Sequence, residues 1–201
     1  MLKLYGSANS RAVRNIWMLN ELGLDYEHLD WLPRAAETKS DEFRSINSSG
    51  AIPVLVDDGF VLSESMAINF YLAKKHGSAL YPSAAQEEAL ALQWSLWETD
   101  KLDRAIVNHA RHSGELPEAE RDPAIAATAW QDCVSSFGVL NAALEKSDWL
   151  IGSTFTVADL NVASAMYRAL ALDLSEWPKT NEWLQNCWQR PAAQKAKAMR
   201  E

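Results

Sequence analysis

The 201-residue chain has few of the residues that would place it in several common protein classes. Its only cysteines, Cys133 and Cys187, lie far apart and form no CxxC or metal-binding spacing. We therefore expect a reduced, cytoplasmic protein without a bound metal ion. No apolar run approaches the roughly eighteen residues of a membrane span, so we expect no membrane segment. We also expect no targeting leader, because residues 1–5 already have the pattern of a strand.

Positive charge is also scarce in this chain. The 19 lysines and arginines face 27 aspartates and glutamates, which leaves a net charge of −8. This balance argues against a general nucleic-acid surface, and it requires any anion site to be locally electropositive. Apolar residues, in contrast, are ample for a packed core. We interpret most of the nine tryptophans as core residues, with some lining a cleft or an interface.

The most specific pattern lies in residues 50–69. It contains, in order, a proline before a strand, a hairpin turn, a second strand and a helix start: Ile52-Pro53, Val54–Val56, Asp57-Asp58-Gly59, Phe60–Leu62 and Ser63-Glu64-Ser65. A cis bond before Pro53 would turn the backbone of Ile52 outward, toward an extended peptide. Glu64 and Ser65 fall in the first turn of a helix, where free N–H groups favour an anion.

Backbone pairing beside an anion site fits a small zwitterionic peptide. In such a site Glu64 would accept a hydrogen bond from the peptide's ammonium group, and Ser65 would donate one to its carboxylate. The alternative interpretation is an ordinary hairpin followed by a helix start with capping polar groups.

On these residues the chain resembles the glutathione S-transferase superfamily. The segments I-P-V-L-V-D-D-G and L-S-E-S-M-A-I are similar to its glutathione-binding signature, and the segments L-K-L-Y-G-S-A-N-S-R-A-V-R-N and T-V-A-D at residues 2–15 and 156–159 extend the resemblance over nearly the whole chain. It implies a cytosolic, bacterial-like enzyme of the serine type that conjugates the glutathione thiolate to small, largely apolar electrophiles. Glutathione would be the co-substrate, no metal would be needed, and the molecule would be a homodimer.

The predicted elements follow the order of that family. Residues 1–78 have a β-α-β-α-β-β-α pattern, which predicts an α/β thioredoxin-like domain that binds glutathione. Pro82 disfavours a helical conformation at Tyr81, and Ser83 is a good N-cap for the next helix, which predicts a linker over residues 79–83. Residues 84–201 show only helical periodicity and predict an all-α domain. The resemblance implies that this domain lines the second-substrate pocket. Its predicted helices span about 84–111, 123–146, 156–172 and 178–190.

Glutathione also needs a group that stabilises its thiolate. A free thiol has a pKa of about 8.5, and a hydroxyl donor worth roughly 1.5–3 kcal/mol, together with a helix N-terminus, suffices to lower it by about two units. The loop before the first helix supplies four candidates: Ser7, Asn9, Ser10 and Arg11. We predict Ser10 as the catalytic donor because it lies at the N-cap position. The other three residues stay alternatives, as does Ser10 as a helix cap alone.

The resemblance adds two further statements about the peptide ends. Lys39 lies where family members often have a basic or polar residue for the glycine carboxylate, so it joins Ile52, Pro53, Glu64 and Ser65 as a predicted glutathione-binding residue. The residue before Ile52 is commonly basic in the family but is alanine here. Three arginines are candidates to compensate for this loss: Arg11, Arg14 and Arg34. The alternative, which we favour, is that each is a solvated surface charge.

The second half of the chain carries two further patterns. The side chains of Trp97, Lys101, Arg104 and Asn108 share one helix face, which suits a pocket wall for an aromatic or anionic electrophile. The alternative interpretation, which we favour slightly, is that Trp97 packs between helices. The segment 156–159 predicts a capping box with a structural role.

Two other functions fit the same sequence. One is a glutathione-dependent disulfide reductase, peroxidase or isomerase that uses the same site, and the other is a non-catalytic binding or assembly module. The loop over residues 7–11 contains no cysteine, which argues against a mechanism that uses a protein thiol. Retention of Pro53, Glu64 and Ser65 favours a working site over a docking module.

Overall fold

A computed structural model describes residues 1–77 and 79–200 of the chain. These residues form two compact units, of which the first comprises Met1–Tyr81 with Gln189–Glu201 and the second comprises Pro82–Trp188. Ser78, the last residue of the predicted first domain, and Glu201 lie outside the described residues. The sequence assigned everything after residue 83 to the helical domain, whereas residues 189–200 pack with the first unit.

The first unit is an α/β layer built on a four-stranded sheet. The strands are β1 (Leu2–Tyr5), β2 (Glu27–Leu29), β3 (Val54–Asp57) and β4 (Phe60–Ser63), in the spatial order β2-β1-β3-β4. β1 runs parallel to β2, and the pairs β1–β3 and β3–β4 are antiparallel. Three helices of this unit connect or follow the strands: α1 (Ala12–Glu21), α2 (Asp41–Ile46) and α3 (Ser65–Lys75). This arrangement is the predicted thioredoxin-like order.

Burial explains why these segments form strands and helices. The central strands β1 and β3 are short apolar runs, and Leu4, Val54 and Leu55 are fully buried. The apolar residues of α1 and α3 recur at helical spacing, and these are also fully buried: Ile16, Trp17, Leu19, Ile68 and Leu72. Phe43 of α2 packs with Tyr5 and Val54 in a hydrophobic cluster.

A helix that the sequence did not predict, α9 (Pro191–Ala198), packs against α1. Its buried face consists of small side chains: Ala192, Ala193 and Ala196. Just before α9, Arg190 makes a bidentate ion pair with Glu21 at 2.7 and 2.8 Å, and Trp17 Nε1 donates to the same carboxylate at 2.9 Å. The sequence analysis took Pro191 as the end of a helix, but proline is also favoured at the first helical position.

The second unit is all-helical among its described residues. Its α-helices are α4 (Ala85–Trp97), α5 (Asp103–Ala110), α6 (Pro123–Leu144), α7 (Val157–Ala165) and α8 (Pro178–Trp188). A π-helical turn, Glu98–Leu102, interrupts the region predicted as one long helix, and a second, Arg111–Glu115, follows α5 at its predicted end. A 3₁₀ turn over Met166–Ala171 follows α7. No helix in residues 1–77 and 79–200 is long and apolar enough to cross a membrane.

Candidate active site

The peptide bond between Ile52 and Pro53 is cis, as the sequence analysis considered. Pro53 is buried, and Ile52 is half-buried against the hydrophobic cluster of Tyr5, Phe43 and Val54. Ile52 precedes β3 and therefore lies outside the sheet ladder. Within the described residues its N–H and C=O groups make no hydrogen bond. A backbone donor and acceptor are thus open to an extended ligand at this point.

The loop before α1 lies directly against Ile52. Gly6 has a φ of 135°, and a Cβ at this position would lie 2.8 Å from Ala12 Cβ and 3.3 Å from Ile52 Cβ. Both separations are shorter than ordinary van der Waals contact, so only glycine fits without a shift of its neighbours. This close approach brings residues 6–10 beside the cis-proline segment.

Hydrogen bonds fix the conformation of that loop. The N–H groups of Gly6 and Ser7 donate to the carbonyls of Leu29 and Trp31 at 2.9 and 2.7 Å. The Ser10 hydroxyl donates to the Ser7 carbonyl at 2.7 Å and accepts from Ala12 N–H at 3.1 Å. Ser10 is half-buried, and it lies one residue before Arg11, the N-cap of α1, rather than at the N-cap position that the sequence analysis gave it.

The three alternatives to Ser10 differ in exposure. Ser7 is only 3% exposed, and its Oγ accepts from Asn9 N–H at 3.2 Å. Asn9 and Arg11 are exposed. The structure therefore brings a half-buried hydroxyl, a buried hydroxyl and two exposed polar groups to one loop.

Glu64 has a backbone conformation that the sequence analysis missed. Its φ and ψ angles are 71° and 113°, a region that non-glycine residues rarely adopt. Holding such a residue costs about 1–3 kcal/mol, and conformations of this kind cluster at functional sites. Glu64 is exposed directly before α3, and its side chain makes no capping hydrogen bond to that helix.

Behind Glu64, polar side chains of α1 contact the start of α3. Ser65 is 5% exposed, and Arg14 Nη1 lies 3.4 Å from its Oγ. Asn15 Nδ2 lies 2.8 Å from both the Ser65 carbonyl and Asn69 Oδ1. Arg14 and Asn15 are themselves buried. The sequence analysis considered Arg14 for its charge only and missed Asn15, although both are polar residues within the buried run of α1.

Lys39 is exposed at the end of a 3₁₀ turn, Glu37–Lys39. The chain just before Ile52 approaches this turn closely, because a Cβ at Gly50 would lie 2.8 Å from the Thr38 carbonyl. Gly50 also has a φ of 63°, which favours glycine. The structure thus brings the backbone next to Lys39 against the segment that leads to Ile52.

The structure brings only some of the residues of the suggested second-substrate face into one cavity. Lys101, Arg104 and Asn108 line a cavity of about 360 Å³ within the helical unit, together with residues of α6. Trp97 does not line it, and its ring instead packs edge-on against Trp94 at 5.2 Å. Lys101 is paired with Asp100 at 2.8 Å, and this hydrogen bond raises the pKa of Lys101 above its usual value. The cavity therefore carries charges of both signs.

Comparison with known proteins gives the family. Residues 1–74 match the family model described as glutathione S-transferase, N-terminal domain, and residues 116–191 match glutathione S-transferase, C-terminal domain. The curated glutathione S-transferase GstB of Escherichia coli is 31% identical over 201 residues and covers 97% of each chain.

Solved structures agree with this result. The theta class glutathione S-transferase of Xanthomonas axonopodis pv. citri, with glutathione bound, has a TM-score of 0.88 at 30% identity, covering 97% of this chain and 96% of that one. A glutathione S-transferase-I bound with lactoylglutathione has a TM-score of 0.89 at 28% identity, covering 98% and 99%.

The chain belongs to the glutathione S-transferase family. The predictions of the family, of the α/β plus all-helical fold class and of a glutathione transferase enzyme are confirmed. Within the part of the chain that the structure describes, no group of three or more histidine, cysteine or carboxylate side chains is placed to hold a metal ion.

Proposed function

We propose that this glutathione transferase binds glutathione along Ile52, Glu64 and Ser65 and activates the glutathione thiol with Ser10. The observation that carries the proposal is the set of open hydrogen-bond groups around the cis-proline segment and the start of α3. The Ile52 N–H and C=O groups have no partner within the described residues, and no side chain caps α3. An extended peptide that ends in a carboxylate supplies the missing partners.

The γ-glutamyl end of glutathione carries both a carboxylate and an ammonium group. We assign the carboxylate to the Ser65 hydroxyl and the first N–H groups of α3, where the helix dipole favours an anion. The ammonium is assigned to the exposed carboxylate of Glu64. Buried Arg14, 3.4 Å from Ser65 Oγ, supplies positive charge beside this helix start in a protein whose net charge is −8.

The other two residues of glutathione follow from the same placement. The cysteinyl backbone pairs with Ile52, next to Pro53, in the manner of an added strand. Lys39 attracts the glycine carboxylate from the turn beside this segment, and as an exposed lysine it contributes less than the buried contacts do.

Ser10 is assigned to the thiol of glutathione. Its hydroxyl proton, which donates to the Ser7 carbonyl in the free protein, rotates to donate to the bound thiolate. Ala12 N–H keeps its hydrogen bond to Ser10 Oγ and makes the hydroxyl a stronger donor. A charged hydrogen bond of this kind and the N-terminus of α1 together offset the roughly 2.7 kcal/mol that a two-unit pKa decrease needs.

The reaction is nucleophilic attack by glutathione rather than by a protein group. The thiolate lone pair forms a sulfur–carbon bond with a small, largely apolar electrophile, and the leaving group departs with its bonding electrons. The enzyme contributes the thiolate and the proximity of the two reactants. The cysteines are poor rivals as nucleophiles, because both are buried and burial raises the pKa of Cys133 to about 12.

Substitution of Ser10 by alanine tests this assignment. We expect the pKa of bound glutathione to rise by about 1–2 units, since one charged hydrogen bond is lost. Transfer to a dinitroaryl chloride should fall most near neutral pH and recover as the pH approaches the free thiol's pKa. Ultraviolet absorbance of the bound thiolate at about 240 nm follows the titration directly.

Three companion variants make the assignment falsifiable. Ser7→Ala, Asn9→Ala and Arg11→Ala should leave the thiol pKa within about 0.3 units of the wild-type value. A shift in one of these variants, with none in Ser10→Ala, would move the activating role to that residue.

We further propose a cytoplasmic homodimer. Two buried cysteines that form no disulfide within the described residues fit a reducing compartment. Large apolar side chains are exposed on α4 and on the edge strand β4, and a partner would cover them: Leu90, Leu92, Leu96, Phe60 and Val61. Sedimentation should give about twice the 22.4 kDa of one chain at micromolar concentration. A species of single-chain mass would refute the dimer.

A further inference from the structure

The hydrogen bonds of the loop that carries Ser10 include one from a residue distant in sequence. Each carbonyl from Gly6 to Ala8 accepts a hydrogen bond: Gly6 O pairs with His28 Nε2 at 2.8 Å, and Ser7 O accepts from Ser10. The carbonyl of Ala8 accepts from Arg200 Nη1 at 2.7 Å. Ala8 is only 2% exposed, so its carbonyl needs such a donor.

We propose that Arg200 is a positioning residue for the thiol-activating loop. It does not touch glutathione in this account; it acts through the Ala8 carbonyl on the loop that holds Ser10. The inference rests on the function proposed above, and it adds a residue from the C-terminal segment of the same unit.

The position of Arg200 is itself fixed by packing within this unit. α9 buries its alanine face against α1, and Asn20 Nδ2 donates to the Ala192 carbonyl at 3.3 Å. The ion pair of Arg190 with Glu21 holds the N-terminal end of α9, and Arg200 N–H donates to the Lys197 carbonyl at 2.8 Å at its C-terminal end. Both ends of the helix are therefore held, and the guanidinium group is directed to the loop.

The contact acts on Ser10 through the peptide between Ala8 and Asn9. A guanidinium group bound to the Ala8 carbonyl polarises that peptide, and the Asn9 N–H on its other side donates to Ser7 Oγ at 3.2 Å. Ser7 in turn provides the carbonyl that Ser10 contacts. Loss of Arg200 leaves a buried carbonyl without its charged donor, so the loop must admit water or shift.

Replacement of Arg200 by alanine and by lysine in the full chain tests the proposal. In Arg200→Ala we expect the pKa of bound glutathione to rise by about 0.5–1 unit, which lowers the thiolate fraction and therefore kcat near pH 6.5 by roughly 2- to 5-fold. The KM for glutathione should change less than about twofold, because the peptide ends bind elsewhere. Arg200→Lys keeps a charged donor and should recover at least half of the lost activity.

The matched control is Lys195→Ala, which removes an exposed positive charge from the same helix without a contact to the loop. It should leave both the thiol pKa and kcat at wild-type values. An equal loss in the control would show that Arg200 acts only as a distant charge, and an unchanged thiol pKa in Arg200→Ala would overturn the proposal. If the wild-type enzyme itself binds no glutathione with a lowered thiol pKa, the proposed function fails instead.

Discussion

Two helices in this protein start with similar polar residues and differ in how those residues are used. At the start of α7, Thr156 and Asp159 form the predicted capping box. The Thr156 side chain accepts a hydrogen bond from a backbone N–H of the first turn, and the Asp159 side chain accepts one from the backbone N–H of Thr156. Asp159 also accepts from Leu150 N–H and Trp183 Nε1, both at 2.9 Å. At the start of α3, Glu64 occupies the N-cap position that corresponds to Thr156, and Ser65 is the first helical residue, yet the Glu64 side chain makes no capping hydrogen bond.

We interpret the two helix starts differently: the start of α7 stabilises the fold, and the start of α3 is the proposed ligand site. The α7 start is buried and satisfied by its own residues, so it has no capacity left for a ligand. The α3 start holds a strained, exposed glutamate whose side chain does not cap the N–H groups beside it. Because the Glu64 side chain does not cap it, the N-terminus of α3 is available to an anion.

Removal of the carboxylate at α7 should give the largest effect on stability. Asp159→Ala leaves several buried donors without a partner, and we expect the free energy of unfolding to fall by about 3–4 kcal/mol. Urea denaturation measures this loss, and glutathione affinity of the remaining folded protein should not change. Asp148→Ala, which removes an exposed carboxylate nearby, should cost less than about 0.5 kcal/mol. Equal losses in the two variants would refute the structural role of Asp159.

A smaller effect on stability is expected at α3. Because the φ angle of Glu64 suits glycine, Glu64→Gly should be more stable than Glu64→Ala by about 1 kcal/mol. Both variants should lose glutathione affinity, since both lack the carboxylate. The comparison of the two by urea denaturation reports strain alone, and a Glu64→Ala variant as stable as Glu64→Gly would show that the backbone at this position is not strained.

Much of the fold could be predicted because local signals and burial agree. The hairpin turn at Asp58-Gly59, the proline before β3 and the apolar spacing of α1 each indicate the element that forms. α9 was missed because it has only alanines on its buried face, and eight residues of weak periodicity give little signal. Its stability comes from packing on α1 and from the Arg190–Glu21 ion pair, which sequence spacing does not reveal.

The site was predictable where chemistry is local and not where it depends on distant contacts. The cis bond before Pro53 and the helix start at Ser65 follow from neighbouring residues. The strain at Glu64 is a backbone property that no side-chain pattern encodes. The contacts of Arg14 with Ser65 and of Arg200 with Ala8 join residues 51 and 192 positions apart, so only the folded chain shows them.

The most direct measurement of the central claim is calorimetric titration with glutathione of three variants and the wild-type enzyme. Glu64→Ala and Ser65→Ala should each weaken binding by about 1.5–3 kcal/mol, the scale of a charged hydrogen bond. Thr156→Ala removes a hydroxyl from the closed start of α7 and should leave the affinity unchanged. Unchanged affinity in both α3 variants, or an equal loss in Thr156→Ala, would contradict the assignment of glutathione to the open start of α3.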